Sequence, residues 1–302
     1  MKNSYLNIRH FIAVLFVSCS FSATSNELVS LTDFGANPGQ LTAQFYAAEQ
    51  SRDLIVTLHG CGQSGVLFAE NSGILAQSKL ANVNVLIPQQ NKENNSTLCF
   101  NWFSPDDQQK GQGESESIVN MIEAVKAKYK IARVFVVGLS AGGAMASNLL
   151  VNYPSLFTAG AVVAGIPFPC ADDLVKAISC MKSGSSISAQ LLAKKVYKDN
   201  STWPALTVVT GKKDTIVNPI NSEQMAEQWV LLNNTSLNKT TENKSDWQIS
   251  RWTDAGVELI EVENMGHGFP IDINPKGNSS PAPFFHPNQI SLAKYLLRKW
   301  IN

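Results

Sequence analysis

The 302-residue chain holds a serine framed by glycines, a histidine framed by glycines and an aspartate just beyond an apolar run. Gly138-Leu139-Ser140-Ala141-Gly142 is a G-x-S-x-G box. It follows the apolar stretch RVFVV and precedes AMASNLLVNY, which reads as a helix. A strand that turns abruptly into a helix strains the residue at the turn and leaves little room for side chains beside it. It also holds that residue's hydroxyl out at the strand's carboxyl end. The next helix aims its free N–H groups and partial positive charge at the same spot, where an oxyanion would form. A plain turn with Ser140 as a helix cap is the other reading. The strand-box-helix order favours a nucleophile.

A serine hydroxyl needs a base near neutral pH. The chain has four histidines: His10, His59, His267 and His286. His267 lies in NMGHGFP, directly after the apolar run 257–263 and before the last helical stretch. It satisfies the order nucleophile, acid, histidine. His286 satisfies the order but lacks the strand-end setting, and it reads as a surface histidine. The orienting carboxylate belongs between the two, at a strand end. Asp214, three residues beyond Gly211 in TVVTGKKDTIVNP, fits. Asp172 and Asp173 read as solvated loop acids, and Asp199, Asp246 and Asp254 follow no apolar strand. Asp214 would hold His267 in one tautomer and stabilise its charged form. Two oxyanion donors are expected: the N–H of Ala141, and that of Cys61 in LHGCGQSG after an earlier strand.

These residues must be positioned by regular elements. Apolar runs at 53–58, 83–88, 133–138, 159–165, 205–211 and 257–263 read as strands. Helical spacing covers Ile118, Met121, Ile122, Val125 and Tyr129, then 144–153, and a last helix opened by Pro287 with Ile290, Ala293, Leu296, Leu297 and Trp300 on one face. Strands alternating with helices predict an α/β fold, a mostly parallel sheet flanked by helices on both faces. The polar stretch 232–245 reads as a surface loop. Residues 166–203 read as an insertion beside the active edge.

Lysine plus arginine and aspartate plus glutamate both number 24, so nothing in the charge argues for nucleic acid or an anionic membrane as partner. Lys2 and Arg9 precede the apolar run 11–17, and small residues follow. That pattern predicts a signal peptide over 1–25, cleavage near 22–25, a catalytic domain over 26–302 and export, secreted or periplasmic. The run is too short for a transmembrane segment, since a bilayer needs about 20 apolar residues. FVSC at 16–19 approximates a lipoprotein box, with lipidation at Cys19 as the alternative. The other cysteines, Cys61, Cys99, Cys170 and Cys180, suggest two disulfides in an oxidising compartment. Three pairings are open; nearest neighbours, Cys61–Cys99 and Cys170–Cys180, are preferred.

NPGQL, LHGCGQSG, CFNWF, VVGLSAGGAM, YPSLFTAGAVVAG, GKKDTIVNP and NMGHGFP occur in this order along the chain. Together they resemble the esterase/polyhydroxybutyrate depolymerase family, which is similar to feruloyl and acetylxylan esterases. The resemblance spans nearly all of 26–302. It implies an alpha/beta-hydrolase fold and an exported serine esterase with Ser140, His267 and Asp214 as catalytic residues, Cys61 and Ala141 as oxyanion donors, and no metal or organic cofactor. Family members that attack solid polymer often carry a linker and a polymer-binding domain. The chain ends at Asn302 after its last helix, which directs the expectation to soluble oligomers or other esters. The expected substrate is short-chain polyhydroxyalkanoate, as polymer or oligomer. A carbohydrate-side esterase is the alternative, and a non-catalytic binding protein on a hydrolase scaffold a second. Trp102, Phe103 and Phe269 are candidate substrate contacts. Oligomeric state has no signature in the sequence.

Overall fold

In the computed structural model, residues 27–197, 202–273 and 281–301 are described. The expected signal peptide and Cys19 lie outside them. The strands are β1 (Val29–Ser30), β2 (Thr42–Tyr46), β3 (Asp53–Leu58), β4 (Asn84–Gln89), β5 (Arg133–Leu139), β6 (Ala159–Val163), β7 (Ala205–Gly211), β8 (Thr240–Asn243), β9 (Trp247–Trp252), β10 (Val257–Val262), β11 (Phe269–Asp272) and β12 (Phe285–Asn288). The helices are α1 (Gly65–Asn71), α2 (Ile74–Ala81), α3 (Pro105–Gln108), α4 (Gly113–Tyr129), α5 (Ala141–Asn152), α6 (Leu174–Ser183), α7 (Ala189–Val196), α8 (Ile220–Leu232) and α9 (Leu292–Ile301).

Ten strands form one sheet in the order β1-β2-β4-β3-β5-β6-β7-β10-β9-β8. The six central ones, β4 to β10 in that order, run parallel. β1, β2, β8 and β9 add antiparallel margins. Parallel strands need crossovers, which place helices on both faces and bury both sides of each strand. The alternation of side chains shows this directly. Val134 and Val136 of β5 join the core under α4, α5 and α8, while Phe135, Val137 and Leu139 join the core under α1, α2 and α9. β10 divides the same way, Val257 and Leu259 against Ile260 and Val262. On the second face the Phe135 and Trp300 rings stack 5.0 Å apart, which docks α9.

Three expectations are corrected. The helix after the box begins at Ala141, three residues before the expected start. The polar stretch after α8 contains β8, whose backbone pairs with β9 although Thr240 and Thr241 are exposed. Pro287 does not open α9: it sits in β12, opposite Ile271 of β11, and α9 starts at Leu292. Between β6 and β7, the stretch read as an insertion carries α6 and α7, and Cys170 is bridged to Cys180 of α6.

Candidate active site

The carboxyl ends of β3, β5, β7 and β10 lie on one edge of the parallel sheet, and each carries one piece of the site. Ser140 follows β5 with φ 57 and ψ −118, a left-handed conformation rare for a residue with a Cβ. Its N–H donates to Val163 O (2.9 Å) at the end of β6, and its carbonyl accepts from Ala144 N–H (2.9 Å). These two bonds clamp the turn. The hydroxyl makes no capping bond to α5, so the helix-cap reading fails. The two glycines have separate steric reasons. A Cβ on Gly138 would stand 2.2 Å from Gly142 O, and one on Gly142 would stand 2.2 Å from Leu58 O. The first absence permits the tight turn. The second lets the first turn of α5 press on the end of β3.

That contact brings the loop after β3 to the nucleophile. A Cβ on Gly60 would stand 3.5 Å from the Ser140 Cβ. Four ties fix the loop: Gly60 N–H donates to Gln63 Oε1 (2.9 Å), Gln63 N–H to Gly60 O (3.3 Å), Gly62 N–H to Thr97 O (2.8 Å), and Cys61 is bridged to Cys99. The Cys61 N–H has no hydrogen-bond partner among the described residues. Ala141, first in α5, has no intrahelical acceptor for its N–H. His59 braces the loop from below. It is fully buried, and burial lowers its pKa to about 4, so it is neutral near pH 7. Its Nε2 accepts from Gln90 N–H (3.2 Å), which leaves the proton on Nδ1 to donate to Gly60 O (2.8 Å).

Asp214 and His267 meet beyond β7 and β10. His267 Nδ1 lies 2.7 Å from Asp214 Oδ2, and both side chains are buried. The other carboxylate oxygen, Oδ1, accepts from Ile216 N–H (2.8 Å) and Val217 N–H (2.9 Å). A carboxylate held by backbone donors is an acceptor at its second oxygen too, so Nδ1 carries the proton and Nε2 keeps its lone pair. The loops are locked together: a Cβ on Gly211 would stand 2.2 Å from Met265 O, and Lys213 N–H donates to that same carbonyl (3.0 Å).

His286 is no idle surface histidine. Its Nε2 donates to His267 O (3.0 Å), and its ring fills the space beside Gly268. Among the aromatic candidates, Trp102 and Phe103 are half-buried and meet edge to face at 5.5 Å. Phe269 is corrected: it is fully buried, packed against Phe68 (5.8 Å), and presents nothing to a substrate. The exposed ring beside His267 belongs instead to Phe284, 5.9 Å away and edge-on. Glu114 is the other residue that sequence reasoning missed. It is wholly buried and accepts from Asn101 N–H (2.8 Å), Asn101 Nδ2 (2.9 Å) and Gln90 Nε2 (2.5 Å), tying the Trp102 segment to the residue that braces His59. Burial pushes its carboxyl up to about 8. A polar residue at a glycine-rich helix start carries no sequence signal for such a role.

Among the described residues no cluster of three or more His, Cys, Asp or Glu could hold a metal ion, and no helix is long and apolar enough to cross a membrane.

Comparison with known proteins places these observations in a family. A profile described as esterase PHB depolymerase matches residues 35–246. Poly(3-hydroxyalkanoate) depolymerase C of Paucimonas lemoignei is 33% identical over 278 residues, covering 87% of this chain and 66% of that protein. The chain therefore spans just under two thirds of that relative's length. Acetylxylan esterase A of Aspergillus oryzae is 27% identical, covering 82% of this chain and 86% of that protein. Among solved structures, an acetyl xylan esterase from Aspergillus awamori matches with a TM-score of 0.72 at 24% identity, over 80% of this chain and 94% of that one. That likeness is one of fold.

Proposed function

The chain belongs to the esterase PHB depolymerase family, and from that premise we propose that it is an exported serine esterase acting on short-chain polyhydroxyalkanoate esters. Ser140 attacks the ester carbonyl while His267 Nε2 takes its proton. The oxyanion is held by the N–H groups of Cys61 and Ala141. His267 then protonates the leaving alcohol, and water repeats the sequence on the acyl-enzyme. One observation carries this reading. A buried carboxylate, saturated by two backbone donors and His267, holds the imidazole on the same sheet edge as a serine in a strained turn. Strain at a residue with a free hydroxyl is what a presented nucleophile requires. Export is supported by the two disulfides, which persist in oxidising compartments.

The hydroxyalkanoate assignment is supported by the relative at 33% identity. The relatives named acetylxylan and feruloyl esterases, at 27% and 26%, support carbohydrate side-group esters as a second reading. A panel decides: hydroxybutyrate oligomer, p-nitrophenyl esters, methyl ferulate and acetylated xylan, each with wild type and Ser140→Ala. Hydrolysis of oligomer, lost in Ser140→Ala, is the expected result. Turnover confined to ferulate or xylan would reverse the substrate assignment. Equal hydrolysis by wild type and Ser140→Ala would end the catalytic one.

A further inference from the structure

A cavity of about 370 Å³ opens at Cys61 and runs between α1 and the segment before β12. Leu67 and Phe284 form its rim, Phe68 and Phe285 also line it, and Gln63, Ser64 and Asn71 are its polar lining. Its size is within the range of about 300–1,000 Å³ typical of small-molecule sites. Two of its features need explanation. Leu67 and Phe284 are 55% and 42% exposed, so two large apolar side chains of the lining are open to solvent. Phe284 also has φ 69. A bulky residue in that region is strained, and such strain collects at sites where it sets a side chain's direction. Here the ring stands edge-on to His267.

Chemistry says which half of an ester belongs there. Ser140 Oγ becomes bonded to the carbonyl carbon as the bond between that carbon and the alcohol oxygen breaks. The alcohol oxygen keeps the electron pair and takes its proton from His267. The alcohol must therefore depart on the imidazole's side. The cavity begins at the proposed oxyanion donor and ends against the ring that flanks His267. We infer that this cavity is the leaving-alcohol subsite, and that it selects an uncharged, apolar alcohol. This inference rests on the esterase reading above. None of the described lining residues is charged, and Gln63 Oε1 already accepts from Gly60 N–H. An esterified hydroxyacyl unit, uncharged and mostly hydrocarbon, fits. A free hydroxy acid, with its terminal carboxylate, does not.

The test varies the alcohol with the acyl group constant. Methyl butyrate and 2-phenylethyl butyrate are compared by kcat/KM in wild type, Leu67→Ala and Phe284→Ala. The hydroxybutyrate dimer is compared as its methyl ester and its free acid. Wild type should prefer the phenylethyl ester and the methylated dimer by tenfold or more. Each variant should lower the phenylethyl-to-methyl ratio by about tenfold, within the range that apolar contacts give to specificity. Leu67 sits on the surface, so Leu67→Ala covers the case in which Phe284→Ala fails to fold. A series of methyl acetate, butyrate and hexanoate supplies the counter-test. If the variants alter acyl preference and leave the alcohol ratio unchanged, the cavity is the acyl side. If wild type shows no alcohol preference while hydrolysing all these esters, the subsite is wrong and the esterase reading stands. If wild type hydrolyses none, both fall.

Discussion

Replacing Asp214 with asparagine exchanges an acceptor for a donor at the atom that faces His267. The side chain has only one way to sit. Oδ1 accepts from Ile216 N–H at 2.8 Å and Val217 N–H at 2.9 Å, so the new amide oxygen stays there. The amide nitrogen then occupies the Oδ2 position, 2.7 Å from His267 Nδ1. Two donors cannot face each other, so Nδ1 becomes an acceptor and the ring proton moves to Nε2. Nε2 can then no longer accept the proton that the proposed mechanism takes from Ser140. An enforced wrong tautomer costs about 10⁴ in kcat in a serine hydrolase triad, about 5 kcal/mol at about 1.4 kcal/mol per tenfold. Stability changes far less, because both backbone bonds remain. What is lost is the charge assistance of one hydrogen bond, roughly 1 kcal/mol. Asp214→Ala is the control. It leaves two backbone N–H groups without acceptors in a buried site, at about 1–3 kcal/mol each. The assay is steady-state hydrolysis of p-nitrophenyl butyrate at pH 8, with thermal melts of all three proteins. The expected pattern is low kcat in both variants, with a large fall in Tm in Asp214→Ala alone. An Asp214→Asn variant that melts with wild type and keeps more than a tenth of its kcat would refute the tautomer argument.

Removing the Cys61–Cys99 bridge by Cys61→Ser/Cys99→Ser opens a loop of 38 residues, worth about 4 kcal/mol in the chain-entropy model. The Cys170–Cys180 bridge closes 10 residues and is worth about 3 kcal/mol. Melts should fall for both double variants, but kcat should drop only for the first, because only that bridge anchors the proposed oxyanion loop; equal kcat losses would contradict this. Stability should also depend on pH through two buried groups. His59, at about 4 instead of 6.5, lacks a proton that the unfolded chain holds between those values, so its contribution is complete above 6.5 and is lost as pH falls toward 4. Glu114, at about 8 instead of 4.5, keeps a proton that the unfolded chain releases, so its contribution falls as pH rises from 4.5 to 8. The two slopes cancel where they overlap, and from 6.5 to 8 Glu114 acts alone. Denaturant titrations of wild type should show about 2 kcal/mol lost across that window. Glu114→Gln should flatten it; an unchanged slope in that variant would place the effect elsewhere.

The chemistry-bearing parts of this chain are legible because backbone geometry there restricts residue type. Gly138 and Gly142 must lack side chains for the turn to form and for α5 to meet β3. Asp214 and His267 each follow an apolar strand whose run of buried residues announces it. Elements held by pairing alone are not legible. β8 is made of Thr240 to Asn243, polar and largely exposed, and it is a strand because β9 offers it a ladder. His286 acquires its role from a two-strand pairing that sets it opposite Pro270, a register no local pattern reveals. The walls of the proposed alcohol subsite are hardest for a related reason. Leu67 and Phe68 are adjacent apolar residues of α1, yet one is 55% exposed and the other 1%. Phe269 and Phe284 are equally apolar, and the one nearer to His267 in sequence is the buried one. Apolar side chains are interchangeable to any reading by composition, because the hydrophobic effect has no direction. Whether a phenylalanine closes a core or opens a subsite is decided by what packs against it, and that partner comes from elsewhere in the chain. The reaction type is therefore written in local spacing, and ester selectivity in long-range packing.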